Sequence, residues 1–100
     1  MKTYELEFHE AALKESEWRR LDNSVQSLFK KQLAKRIQAP HVPSAKLHGE
    51  LKNTYKIKLR DAGYRLVYEV VDHRVVVFVI AIGRRDHDTV YQQAAQRLKP

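Results

Sequence analysis

The stretch that decides the fold reads Tyr55-Lys56-Ile57-Lys58-Leu59-Arg60, then Asp61-Ala62-Gly63, then Tyr64-Arg65-Leu66-Val67-Tyr68. Its first six residues alternate apolar and basic, the period of a strand buried on one face. Tyr55, Ile57 and Leu59 are therefore expected to point to a core, and Lys56, Lys58 and Arg60 to the opposite side. Asp61-Ala62-Gly63 is turn chemistry, and Tyr64 to Val71 resumes with β-branched and aromatic residues. A second turn at Asp72-His73-Arg74 leads into Val75 to Ile82, apolar on both parities, which predicts a central strand covered on both faces. The three strands are predicted to form an antiparallel meander. With a turn symmetric about Ala62 and Gly63, Arg60 lies across from Arg65, Lys58 from Val67 and Lys56 from Glu69. Like charges directly opposite destabilise a sheet unless an anion sits between them, so the hairpin is a candidate phosphate site. The same pattern also fits a solvated lysine face that discourages edge pairing.

Working outward, Tyr4, Leu6 and Phe8 alternate with Glu5, Glu7 and His9 and predict a first strand. Glu10 to Gln38 favours helix, interrupted by the cap-forming Leu21-Asp22-Asn23-Ser24, so a two-helix hairpin is expected. Val25, Leu28, Phe29, Leu33 and Ile37 make the apolar stripe of the second helix. In the first, Leu13 and Trp18 fall about 140° apart around the axis, which predicts a distortion or a late start. Pro40 and Pro43 end the helical region, and Lys46 to Asn53 reads as loop. Gly83 is expected to allow an unusual backbone where the last strand ends, before a short helix from Asp88 to Leu98. The expectation is an α+β fold of one domain, residues 1–100: an N-terminal strand, two helices, a three-strand meander within a four-strand sheet, and a short C-terminal helix.

Composition narrows the function classes. At 100 residues and 43% hydrophobic content the chain can build one modest core. It has no cysteine, which excludes thiolate chemistry and disulfides and fits a reducing, cytoplasmic setting. No apolar run reaches the length of a membrane span, and the acidic residues near Met1 argue against a signal peptide, so a soluble protein with no membrane partner is expected. Nineteen Lys and Arg against twelve Asp and Glu give +7. Residues 51–100 hold ten basic and five acidic residues, whereas residues 1–50 hold nine and seven, so a polyanion site is expected in the second half. Basic charge by itself fits a nucleic acid, an acidic protein partner or a merely soluble surface. His9, His41, His48 and His73 show no paired spacing, so neither a metal site nor a two-histidine nuclease is supported, and no cofactor is expected.

The hairpin residues above, with Val75-Val76-Val77-Phe78-Val79-Ile80, Gly83-Arg84-Arg85, Val90-Tyr91, Ala12-Leu13-Lys14-Glu15 and Lys46-Leu47, resemble the RelE family of the RelE/ParE superfamily over nearly the whole chain. Ser16-Glu17 stands out as a two-residue insertion before Trp18-Arg19-Arg20-Leu21, which puts the first helix rather than the site in doubt. The resemblance implies a ribosome-dependent endoribonuclease that cuts messenger RNA in the decoding site without a metal, held inactive by a RelB-like antitoxin. No helix-turn-helix is evident in the sequence, so any contact with DNA is expected to run through the antitoxin complex. Carried over by type and position, the catalytic residues are Lys56, Lys58, Arg65, Arg85 and Tyr91. Metal-free cleavage uses the neighbouring 2′-hydroxyl as nucleophile and needs a base, an acid and charge stabilisation. A phenol is a weak base unless cations surround it, so Tyr91 suits that role only beside these side chains. Arg65 and Arg85 suit a bidentate phosphate clamp, Lys58 the acid, and Lys56 transition-state stabilisation. Arg60, Arg84 and the helical cations Lys30, Lys31, Lys35 and Arg36 are candidate RNA contacts, the last four equally a solvated helix face. His87 competes for acid–base work, since histidine titrates near neutrality. Two other readings stand: a ParE-like toxin acting on DNA gyrase, against which the five residues argue, and a binding module acting only with its antitoxin.

Overall fold

The structure, a computed structural model, describes residues 3–13, 17–47, 52–84 and 89–98. Its strands are β1 (Glu5–Phe8), β2 (Thr54–Leu59), β3 (Tyr64–Val71) and β4 (Val76–Arg84), and its α-helices α1 (Glu10–Leu13), α2 (Asn23–Arg36) and α3 (Thr89–Leu98). The sheet runs β1-β4-β3-β2. The meander is antiparallel as the turn signals require, and β1 adds at the far edge parallel to β4, pairing Glu5 with Val76 through Phe8 with Val79. β4 is thus an interior strand, which accounts for its apolar residues on both parities.

Alternation sorts the strands into two faces. Tyr55, Ile57, Leu59, Leu66, Tyr68, Val70, Val77, Val79 and Ile82 join Val25, Phe29 and Leu33 of α2 in the larger core. Val67, Ile80 and Ala81 join Val90 and Ala94 of α3 in a smaller one on the other side. The two-face pattern survives an irregularity in β4: Val67 pairs with Ala81 and Tyr68 with Val79, leaving Ile80 as a bulged residue.

The α2 stripe is narrower than the expected one. Val25, Phe29 and Leu33, spaced by four, are buried, whereas Leu28 is 46% exposed because it sits one row off the seam. The break before α2 comes early: α1 covers four residues, residues 17–20 form a turn, and Trp18 swings back to pack its ring 5.2 Å from that of Phe8. Leu13 is left 42% exposed. No helix among the described residues is long and apolar enough to cross a membrane.

On the α2 side the polar groups are locked to one another. Tyr55 and Tyr68 stack at 5.6 Å, and Tyr68 donates its hydroxyl proton to the carbonyl of Pro40 at 2.7 Å. The Arg36 guanidinium donates to that same hydroxyl oxygen at 2.8 Å and to the Lys56 carbonyl at 3.3 Å. Burial outweighs Arg36 and pushes the Tyr68 phenol above its ordinary value.

Candidate active site

β2 and β3 pair Leu59 with Tyr64, Lys58 with Arg65, Lys56 with Val67 and Thr54 with Glu69. This corrects the expected register by two residues. The chain turns over four residues, 60–63, closed by the Gly63 N–H donating to the Leu59 carbonyl at 2.8 Å, with Gly63 at φ +75°. A left-handed residue at the end of a longer loop closes such a hairpin, where a two-residue turn would have placed Arg60 inside the strand. Arg60 lies in the turn instead. The charge opposition survives with a different pair, Lys58 facing Arg65, and the acid expected across from Lys56 is moved down the sheet to Thr54.

Because Val67 belongs to the core beneath α3, its cross-strand partner Lys56 and the next pair Lys58 and Arg65 lie on the α3 side of the sheet. α3 packs on β3 and β4 and leaves β2 uncovered, so Lys58 is exposed and Lys56 and Arg65 are half-buried. The positive charge of Lys56, then slight desolvation, then the charges of Arg65 and Arg60 hold the Lys58 ammonium below the ordinary lysine value. A hollow of ≈ 150 Å³ at the turn end of the hairpin is lined by Lys58, Leu59, Arg60, Tyr64 and Arg65. It can take one phosphate-sized group against three cations.

Tyr91 reaches this surface from α3. Its half-buried ring packs beside Val90 and Ala94 on the smaller core, and the Arg65 guanidinium lies over it, 5.4 Å from the centroid. Packing on the sheet and membership of the cationic surface are therefore compatible. The close seating of α3 depends on Gly83, where an added Cβ would meet the Val90 Cβ at 3.2 Å. Gly83 is not among the residues with positive φ, so its expected unusual backbone is corrected: the position needs the missing side chain, for close approach of the helix.

The remaining candidates divide. Arg84 covers the Tyr64 ring at 5.7 Å, at the end of the sheet next to the hollow. Arg85 and His87 lie outside the described residues. Lys30, Lys31 and Lys35 are exposed on α2, across the sheet from the ladder, and Arg36 turns inward to Tyr68. Two residues carry a role that no spacing announced: Glu17 and Arg97 form a buried ion pair at the edge of β4. Neither lies in a sequence motif, and they meet only because the sheet brings residues 80 apart together.

Comparison with known proteins identifies the family and the fold. The model of a family described as the ParE toxin of type II toxin-antitoxin system, parDE, matches residues 6–89. A protein of Escherichia coli named mRNA interferase toxin RelE is 47% identical over 95 residues, 95% of this chain and 97% of that relative. The chain belongs to the RelE family of toxins. Among RelE structures, a double arginine-to-alanine mutant of the E. coli toxin in the free state superposes with a TM-score of 0.88 at 45% identity, covering 98% of this chain and 100% of that one. The same RelE mutant in complex with an antitoxin RelBc peptide gives a TM-score of 0.78 at 46% identity, covering 93% and 95%. The α+β architecture found here is thus the RelE fold.

Proposed function

We propose that this RelE-family chain is an mRNA interferase: a ribosome-dependent endoribonuclease that cuts messenger RNA in the decoding site and so stops translation. The observation that carries the reading is the convergence of Lys58, Arg65 and Tyr91 on one open face, with Lys56 one pair further along. The 2′-hydroxyl attacks the adjacent phosphorus, forming the 2′-O–P bond while Tyr91, as general base, takes its proton. Arg65, with Arg85, clamps the non-bridging oxygens, and Lys56 offsets the charge that develops on them. The P–O5′ bond breaks as Lys58 gives its proton to the leaving oxygen, a transfer eased by its lowered pKa. A 2′,3′-cyclic phosphate and a 5′-hydroxyl remain, and each step falls to a side chain without need of a metal.

A RelB-like antitoxin is the expected protein partner, given the antitoxin peptide bound to the related RelE. Ribosomal RNA phosphates are the expected docking surface for the remaining cations, including Arg60, Arg84, Lys30, Lys31 and Lys35, and the site of action is the cytoplasm. The test is to add the purified chain to ribosomes programmed with a defined message and map the message ends by primer extension. Cuts at the decoding-site codon support the reading. Intact message together with inhibited DNA gyrase would favour a ParE-like activity instead.

A further inference from the structure

β1 stops at Phe8, opposite Val79, whereas β4 continues to Arg84. Beyond Val79 the edge of β4 is completed by two side chains. The Ile82 N–H donates to Glu17 Oε1 at 2.8 Å, and Arg97 Nη1 donates to the Ile80 carbonyl at 2.7 Å. The two side chains also grip each other, Nη1 to Oε1 at 2.9 Å and Nη2 to Oε2, with 7% of Glu17 and 17% of Arg97 exposed. An acceptor and a donor thus stand where a neighbouring strand would offer its carbonyl and N–H, and one of them is on α3.

We propose that Glu17 and Arg97 form a latch that positions Tyr91 in the cleavage site. This rests on the assignment of that site under the mRNA-interferase reading. Val90, Ala94 and Arg97 follow the i, i+4, i+7 stripe that faces the sheet, with Tyr91 turned by one residue toward Arg65. Val90 seats against Gly83 and Ala94 packs in the smaller core, contacts that set how close α3 lies but resist sliding or rotation weakly. A fork of directed hydrogen bonds at Arg97, about 9 Å further along the helix axis, resists both. Glu17 touches no reacting atom and acts through Arg97. The segment that departs from the family pattern, Ser16-Glu17, therefore bears on the site after all, because one of its two residues holds the helix that carries the phenol.

The test uses Glu17→Gln, which keeps one acceptor for Ile82 but loses the charge, and Arg97→Lys, which keeps one donor but loses the fork. Both are expected to lower single-turnover cleavage in the programmed-ribosome assay by roughly 10-fold or more, since small misplacements of a reacting group are costly. Ribosome affinity should stay within about twofold, because the cations that dock on phosphate are untouched. By NMR, the ring-current shift of the Arg65 side-chain protons over Tyr91 should collapse in both variants, while the Val77 and Val79 amides stay protected from exchange. A lowered melting temperature with parental cleavage and an intact Arg65 shift would overturn the proposal and leave a purely structural pair. Should either substitution prevent folding, the unsubstituted chain decides: on heating, the Arg97 guanidinium protons and the Arg65 shift must be lost together, and separate losses would refute the latch. If the unsubstituted chain leaves message intact, the interferase reading fails, while the NMR arm still tells whether the latch sets Tyr91.

Discussion

The two faces of the sheet are made of alternate residues of the same strands, and they end up in different states. On the α2 side a helix of 14 residues lies over the strands, and the phenol of Tyr68 and the guanidinium of Arg36 satisfy each other beneath it. On the α3 side a helix of 10 residues covers β3 and β4, and the β2 side chains Lys56 and Lys58 stay within reach of solvent. Arginine shows the contrast well. Arg36 is turned inward to the Tyr68 hydroxyl and the Lys56 carbonyl, while Arg65 lies over the Tyr91 ring beside a hollow. Coverage, not residue type, sets how far each arginine is drawn into the fold.

Substitutions should therefore divide by face. The largest effect is expected from Phe29→Ala, which empties a fully buried position under α2 and should cost about 3–5 kcal/mol in denaturant unfolding. The folded fraction should still cut message at the parental rate; a matching loss of cleavage would break the division. Tyr91→Phe and Arg65→Ala should do the reverse, lowering single-turnover cleavage by about 100-fold with little change in stability. If both cut normally, the site is wrongly placed.

Gly83→Ala tests the boundary between the faces. The new methyl would press on Val90 and lift α3, for about 1 kcal/mol of stability and a larger proportional loss of cleavage. A smaller effect concerns pH. If Lys58 is the acid, cleavage is lost as pH rises through its lowered pKa; Lys56→Ala removes the first cause of that lowering and should move the alkaline limb of the rate profile upward. An unmoved limb would assign the proton to another group. The smallest effect lies on the α2 side, where the Tyr4 hydroxyl and His41 donate to Asp72 and hold its carboxyl below the usual value of 3.8. A depressed carboxylate contributes stability above its unfolded pKa and loses it as pH falls through the folded one. The thermal unfolding temperature should thus fall in that acid range, and Asp72→Asn should flatten the slope slightly, since the pair is exposed.

The strands were legible because alternation is a local property: Tyr55, Ile57 and Leu59 announce their face within six residues, and Val75 to Ile82 announces a central strand by having no polar face, although the strand itself begins at Val76. The register was not legible, because two-residue and four-residue turns share the same Asp-Ala-Gly chemistry and only the closing bond from Gly63 to Leu59 distinguishes them. Leu28 fits a helical stripe on paper and misses the seam in space, since the row that packs depends on how α2 crosses the sheet. Gly83 looked like a backbone device and proved to be a contact surface, a difference that needs the position of Val90.

By itself, the amino-acid sequence determined the four strands, the two-faced hairpin and the excess of cations in the second half. Those follow from periodicity and composition, which act over a few residues at a time. Only the tertiary structure decided that Lys58 faces Arg65, that Tyr91 comes to lie under that arginine, that Arg36 is spent on Tyr68, and that Glu17 meets Arg97. Each of these joins segments far apart in the chain, and such meetings are set by loop closure and by which helix covers which strands, neither of which a local pattern encodes.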